Sequence, residues 1–305
     1  MKKGNQFNEV LQSLAALLTV SAIVSPLFLG GMPQQSQQLH RYEAIGIATK
    51  LYSFDFDDAM PLAHSRSSVT RQWRWNSFTA VPAGWSSPSR HLNPRKAEDS
   101  MVVYNSIQVY ANNLKIYEEP NFPETVVIGQ GSLAVYAPAR MNVTYNGLLH
   151  AWPSGSVAVP ERLTMFWQSF HENRVGVQVS NPALNCSDPN LPCRFHPITG
   201  AQGTGQTNAW GWFGASDPQK STVWHYGHSM LFLSVNGTVD MRPVELPTTP
   251  ETLLDTDNVP WANFNAGQPG GSPFAMWSCV SPGSNVGWPT FFRPDKTFTG
   301  TDHCP

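Results

Sequence analysis

Residues 43–61 read EAIGIATKLYSFDFDDAMP, and this stretch decides how the rest of the chain is organised. Together with the residues just before it, it places Leu39, Tyr42, Ile45, Ile47, Ala48 and Leu51 near helical spacing. Such a stripe belongs to a helix laid against a sheet and not to a cofactor site. Gly30-Gly31-Met32-Pro33 interrupts the pattern on the N-terminal side by combining backbone freedom with a missing amide. The helix therefore resumes at about Gln34 and ends near Ser53. Asp55, Asp57 and Asp58 lie in the turn that leaves it, where their carboxylates serve local hydrogen bonding and solvation. Three carboxylates fall short of the six or more oxygens of a dedicated calcium site.

Upstream of this helix, Lys2 and Lys3 precede an uncharged run from Val10 to Leu39, with Glu9 at its N-terminal edge. The apolar part, VLQSLAALLTVSAIVSPLFLGG, covers about twenty residues, the length needed to cross a bilayer core of about 30 Å. Basic residues before it place the N-terminus on the cytoplasmic side. A secretory signal peptide is one reading, with VSA at Val20–Ala22 as its cleavage site. The other starts from Glu9, since a carboxylate at the edge of an apolar helix calls for a specific partner.

Three landmarks in register resemble type IV prepilins and pseudopilins: Gly4 as the last leader residue, Glu9 at mature position five and Pro26 at twenty-two. The resemblance implies cleavage by a prepilin peptidase after Gly4, methylation of Asn5, and pairing of Glu9 with the freed amine of a neighbouring subunit. Asn5 stands where that family usually has Phe. Residues 43–61 are also similar to the end of the long helix in prepilin-type proteins. So are SMVVYNSIQVYANNLKIYEEP (100–120) and MNVTYNGLLHAWPSGSVAVPERLTMFWQ (141–168), the latter carrying Y-N-G-L-L-H. In the resemblance Glu119-Pro120 takes the place of a Cys-Pro, and its partner cysteine is missing near Gln38. The last landmark is HYGHSMLFLSVNGTVDMRPV (225–244), which resembles a His-x9-Asp-Gly motif, with His225 here followed by ten residues and then Asn236-Gly237.

By its own chemistry, Asn236-Gly237 between apolar runs predicts a two-residue type I′ hairpin, with both residues at positive φ. Met230, Phe232, Ser234 and Thr238 then share one face, with Leu231, Leu233, Val235 and Val239 offset. Gly227-His228-Ser229-Met230 begins like a hydrolase nucleophile elbow, but Leu231 occupies the position that needs glycine, and no βαβ alternation surrounds it.

The expectation is an α+β chain: a leader over 1–4, an N-terminal helix over 5–53 whose part 5–30 lies in the membrane or a filament core, and a head over 54–305. The head is an antiparallel sheet with long Pro/Gly-rich loops, on which the second half of the helix packs. The net charge of −2 provides no basic field for nucleic acid. Cys186, Cys193, Cys279 and Cys304 are an even count in an exported chain, which favours two disulfides among three connectivities. The x6 spacing of the first pair is wider than the usual zinc loop. Asp255, Asp257 and Asn258 form an oxygen-rich loop and the calcium candidate. Trp73, Trp75, Trp210 and Trp212, in WRW and WGW pairs, provide the alternative of a tethered ligand- or glycan-binding head.

The resemblance implies a single-pass protein of the inner membrane with its head outside the cytoplasm. Its partners are a prepilin peptidase and copies of itself or other pilin-like subunits of a type IV pilus or type II secretion pseudopilus. It implies no catalysis and no organic cofactor.

Overall fold

The computed structural model describes residues 34–74, 79–85, 94–120, 122, 124–126, 139–168, 173–175, 179–180, 184, 186, 188–196, 200–201, 229–243, 279–280, 286–287 and 290–295. The chain divides into two compact units, residues 1–41 and 42–305. Among the described residues the first unit contains only the start of the first helix.

Helix α1 runs Gln34–Asp55. Three short helices follow, α2 Arg95–Ser100, α3 Val103–Ser106 and α4 Gln108–Ala111. The strands up to the central hairpin are β1 Glu124–Val126, β2 Arg140–Met141, β3 Val143–Tyr145, β4 Thr164–Gln168, β5 Asn173–Val175, β6 Val179–Ser180, β7 Phe195–His196 and β8 Gly200–Ala201. The hairpin is formed by β9 Ser229–Ser234 and β10 Val239–Pro243, and β11 Cys279–Val280 and β12 Val286–Gly287 follow it. The fold is α+β. Its main sheet has the order β10-β9-β4-β3-β6. The first four strands pair antiparallel, whereas β6 joins β3 in parallel. The sheet is therefore not antiparallel throughout, as the sequence led us to expect.

Helix α1 presents Tyr42, Ile45, Ala48, Thr49 and Tyr52 to the interior of the head. These positions recur at three- and four-residue intervals, the period of one helical face. Ile47, which the sequence placed in the same stripe, lies 46% exposed. It stands two residues from Ile45, so a helix sends the two side chains in different directions. Thr49 Oγ1 returns a 2.8 Å bond to the Ile45 carbonyl, so its polar atom is satisfied within the buried face.

Helix and sheet approach closely at Gly46. A Cβ there would come within 3.1 Å of Leu233 Cδ1 and 3.8 Å of the Gly237 Cα. Glycine is weak in a helix interior, and here it lets the α1 backbone rest on β9. One turn further on, Lys50 Nζ donates to the Asn236 carbonyl at the hairpin tip. The helix ends two residues beyond the expected Ser53. The Asp58 amide donates back to the Ser53 carbonyl at 2.9 Å, and Asp57 and Asp58 take positive φ of 51° and 58°, a region that Asp tolerates better than most residues.

The hairpin differs from the expected two-residue turn. Gly237 N–H donates to the Ser234 carbonyl at 2.8 Å, and Ser234 N–H to the Thr238 carbonyl at 2.9 Å. Gly237 has φ 91°, while Asn236 is not among the residues with positive φ. This is the three-residue loop in which a turn is followed by a left-handed glycine forming a bulge. Tertiary bonds select it. The Val235 and Asn236 amides donate to the carbonyls of Leu163 and Pro160 at 3.0 and 2.9 Å, and Asn236 Oδ1 accepts from the Thr238 amide. Ser229 opens β9 as an ordinary strand residue with no helix after it, unlike a nucleophile elbow.

Strand β9 is buried on both faces, from Met230 to Ser234. Leu233 lies under α1. Met230 and Phe232 enter a cluster with Leu148, Trp167, Leu184, Phe195, Phe291 and Phe292. Within it Phe291 meets Phe232 and Trp167 edge-on, with centroids 5.6 and 5.9 Å apart.

Replacing Gly46 by Val is expected to lower the unfolding free energy by about 1–3 kcal/mol through overpacking against Leu233. Gly46→Ala should stay within about 1 kcal/mol of the parent, because gained helix propensity offsets the small shift of Leu233. Urea unfolding midpoints at constant slope measure both.

Candidate functional site

A buried cluster of two histidines, a tryptophan and a cysteine pair is assembled by four separate stretches of chain. The first is residues 59–66, which follow the helix and are pinned from two sides. Ala59 bridges to Pro153, and the Met60 amide donates to the Trp152 carbonyl at 2.8 Å. Leu62 bridges to Val102, and the Val103 amide donates to the Leu62 carbonyl at 2.8 Å. His64 is therefore held with only 2% of its surface exposed.

The second stretch is Tyr145–His150, the Y-N-G-L-L-H segment. Asn146 caps the 3-10 turn Gly147–Leu149, its Oδ1 accepting from the Leu148 amide at 3.1 Å. Its Nδ2 donates to the carbonyls of Thr164 and Phe292 at 2.9 and 3.1 Å. Tyr145 Oη donates to the Pro61 carbonyl at 3.1 Å. One buried amide and one buried hydroxyl thus fix the turn against β4, the aromatic cluster and the segment that carries His64. His150 ends the turn with none of its surface exposed.

The third stretch is a local loop. Arg66 bridges to Trp73, and the Ser67 and Arg74 amides donate to the Gln72 and Ser65 carbonyls at 2.9 Å each. This returns Trp73 edge-on to both imidazoles, at centroid distances of 5.8 Å to His64 and 5.2 Å to His150. The two imidazoles stack at 4.1 Å with 20° between their planes.

The fourth stretch is the loop closed by the Cys186–Cys193 disulfide, with Cα atoms 5.5 Å apart. Both cysteines are buried in the aromatic cluster. An Asx turn shapes the loop, the Asn190 amide donating to Asp188 Oδ1 at 2.8 Å. Arg66 Nη2 donates to the Pro189 carbonyl and ties the loop to the Trp73 turn. As a result His64 Nε2 stands 3.1 Å from Cys193 Sγ. His64, Cys186 and Cys193 each offer a donor atom, all within 4.8 Å of one another.

Protonation in the cluster follows from its partners. The Ala63 amide donates to His150 Nδ1 at 3.0 Å, so that nitrogen is unprotonated and Nε2 carries the hydrogen. His150 Nε2 and His64 Nδ1 are both buried without a hydrogen-bond partner. Burial lowers the affinity of each ring for a second proton. It takes His64 from 6.5 to about 3. His150 falls well below its ordinary value, chiefly through burial and also through His64 and Arg194. Both rings are neutral across the physiological range.

A second buried group is a charge network. Glu98 accepts from the Ser68 amide and hydroxyl at 2.7 and 2.9 Å and pairs with Arg74 at 3.0 Å, while Arg95 reaches Asp99 at 2.9 Å. Burial alone would raise the Glu98 carboxyl, but the Ser68 donors and Arg74 outweigh it and hold the group below its ordinary value. The network ties α2 to the loop bearing Trp73 and has the character of a structural clamp.

The residues singled out from sequence fare differently. Cys186 and Cys193 are joined. Cys279 begins β11, but its side chain and Cys304 lie outside the described residues. Gly4, Asn5, Glu9 and Pro26 lie outside them too, as do His225, the calcium candidates Asp255, Asp257 and Asn258, and Trp75, Trp210 and Trp212. Among the described residues, Asp55, Asp57 and Asp58 do not converge as a cation site, and Asp55 instead accepts from Tyr110 Oη at 2.7 Å. Asn236 and Gly237 form the hairpin tip against Lys50. Trp73 is turned against the core and the histidines, not outward as a platform. Sequence reasoning did not find His64 and took His150 only as part of a motif. The available signal was two histidines beside a Cys-x6-Cys loop, with nothing in their spacing to join them.

No known protein family, curated protein or solved structure matches this chain. Among the described residues, no helix is long and apolar enough to cross a membrane.

The histidines set a pH dependence. Unfolded, both rings take up a proton near 6.5, whereas folded they do so only well below it. Their contribution to stability is therefore complete above pH 6.5 and declines as the pH falls. The expected slope is about 1.4 kcal/mol per pH unit for each histidine. Glu98 acts in the same direction but only as the pH falls below its unfolded value near 4.5. Urea unfolding between pH 7 and 5 isolates the histidines, and His150→Gln should make the slope shallower.

Proposed function

We propose that the chain is a pilin-like or pseudopilin-like structural subunit, tethered to the membrane or assembled into a surface filament or secretion pseudopilus. The observation that carries this reading is the seam between α1 and β9. From Tyr42 onward the helix is part of the head, seated through Gly46 on Leu233 and through Lys50 on the hairpin tip. In sequence the same helix is preceded by the apolar run that begins at Val10. A head built around the C-terminal half of a helix, with an apolar segment before it, suits a subunit that buries the N-terminal part elsewhere, in lipid or among neighbouring helices.

Two further observations support it. Ile47 and Phe54 leave apolar surface on the open side of α1, at 46% and 73% exposure, where a neighbouring subunit could cover it. The Gly4, Glu9 and Pro26 register resembles that of a prepilin leader and mature helix. Glu9 would then pair with the freed amine at Asn5 of a neighbour, which neutralises two charges that are costly in an apolar core.

Mass spectrometry of the N-terminus of the native protein tests the reading. A mature chain beginning at Asn5, methylated on its amine, is the expected result. A chain beginning beyond Ala22 would identify an ordinary secreted protein and overturn the proposal. An uncleaved start would leave a permanently anchored head that does not polymerise.

A further inference from the structure

We propose that His64, Cys186 and Cys193, with the cysteines as thiols, form a binding site for a divalent cation of the zinc class. The disulfide is then the alternative, cation-free state of the same residues. The three donor atoms lie within 4.8 Å of one another, and His64 Nε2 is already 3.1 Å from Cys193 Sγ. A tetrahedral zinc-class ion holds thiolate sulfur at about 2.3 Å and imidazole nitrogen at about 2.0–2.1 Å, so its donor atoms stand about 3.5–3.8 Å apart. Opening the S–S bond and turning the two side chains about their Cα–Cβ bonds reaches that spacing from Cα atoms 5.5 Å apart. The x6 loop is no obstacle, because its fold brings the two ends together.

The donor set selects the ion. Two thiolates and an imidazole suit zinc and its soft neighbours rather than calcium or magnesium. Two thiolates and a dication sum to zero charge, which suits a site where His64, Cys186 and Cys193 are each less than 5% exposed. His64 gains most. In the metal-free fold its Nε2 faces only sulfur, and ligation gives that nitrogen a cation as its partner. His150 is excluded as a ligand while its Nδ1 lone pair accepts the Ala63 amide, since the remaining nitrogen then carries the hydrogen. It acts as a positioning residue, stacked on His64 and keeping that ring's plane. Three protein ligands leave a fourth position to a small ligand, as in zinc sites that stay open.

The thiols of the newly made chain bind the cation and release two protons to solvent. A disulfide of the thiol-exchange class then oxidises the two thiolates to the Cys186–Cys193 disulfide, is itself reduced to two thiols by taking up two protons from solvent, and the cation leaves to solvent. Where the chain meets such an oxidant first, the site is closed before a metal arrives.

The test uses the full-length chain, made in a reducing compartment and kept with a phosphine reductant, and titrated with Co2+. The expected result is a thiolate-to-cobalt charge-transfer band that saturates at one ion per chain and disappears on adding Zn2+. The same chain with the Cys186–Cys193 disulfide formed should show no band. Cys279→Ser/Cys304→Ser should keep it, and Cys186→Ser/Cys193→Ser should lose it. His64→Phe preserves a packed ring and should weaken Co2+ binding at least about 100-fold, more than loss of an outer-shell partner does. His64→Gln provides the same test if the phenylalanine is not accommodated, with near-ultraviolet circular dichroism reporting the fold of each. Without any variant, Zn2+ should protect Cys186 and Cys193 of the reduced chain from alkylation. The proposal is overturned by a reduced parent that shows neither band nor protection. It is equally overturned by a band that survives loss of Cys186 and Cys193, or by a folded His64 variant that binds as tightly as the parent.

Discussion

Because Gly46 has no side chain, the backbone of α1 can approach Leu233 closely, and much of the head depends on that approach. With the helix seated there, β9 is covered on one face, while its other face supplies Met230 and Phe232 to the aromatic cluster. Burying a large apolar side chain is worth about 1.5–3 kcal/mol. A six-residue strand buried on both sides is therefore a strong organising element for a head otherwise made of short strands. The hairpin tip is fixed to the same helix through Lys50. Helix, central strand and turn are one mechanical unit.

The His–Cys cluster is joined to that aromatic core through Cys186 and Cys193 and follows a different logic. Its members are polar, and burial favours the forms without net charge: neutral imidazoles and a disulfide, or thiolates offset by a dication. Around them a few satisfied polar groups, the Asn146 amide and the Tyr145 hydroxyl above all, bind the turn and the neighbouring strands. Those bonds are worth most where water is absent, because each would otherwise leave a buried carbonyl unpaired. The rigidity of Y-N-G-L-L-H thus comes from side chains that bond to backbone at both ends of the segment, and it is what presents His150 to His64.

Legibility in the sequence tracked the range of the interaction. The helix leading up to the aspartate turn, the turn at Asp57 and Asp58 and the existence of the β9–β10 hairpin all depend on neighbours a few residues away, and each was readable. The hairpin's loop type was not. Asn-Gly alone favours two residues at positive φ, but bonds from the loop amides to the Pro160 and Leu163 carbonyls and the reach of Lys50 stabilise the longer loop with only Gly237 left-handed. The parallel addition of β6 to β3 was not readable either, since nothing local distinguishes it from another antiparallel strand.

By itself, then, the sequence determined the α+β class, the helix that leads into the head, the central hairpin and a net charge without a basic excess. These follow from period, punctuation and charge, which are properties of contiguous residues. Only the tertiary structure decided that Ile47 faces outward, that β9 is buried twice over, and that Trp73 turns toward two histidines. It alone brought His64, His150, Cys186 and Cys193 together. Their separations along the chain carry no periodic signal, and their meeting is set by where the packed helix, the Asn146 turn and the disulfide loop come to rest in space.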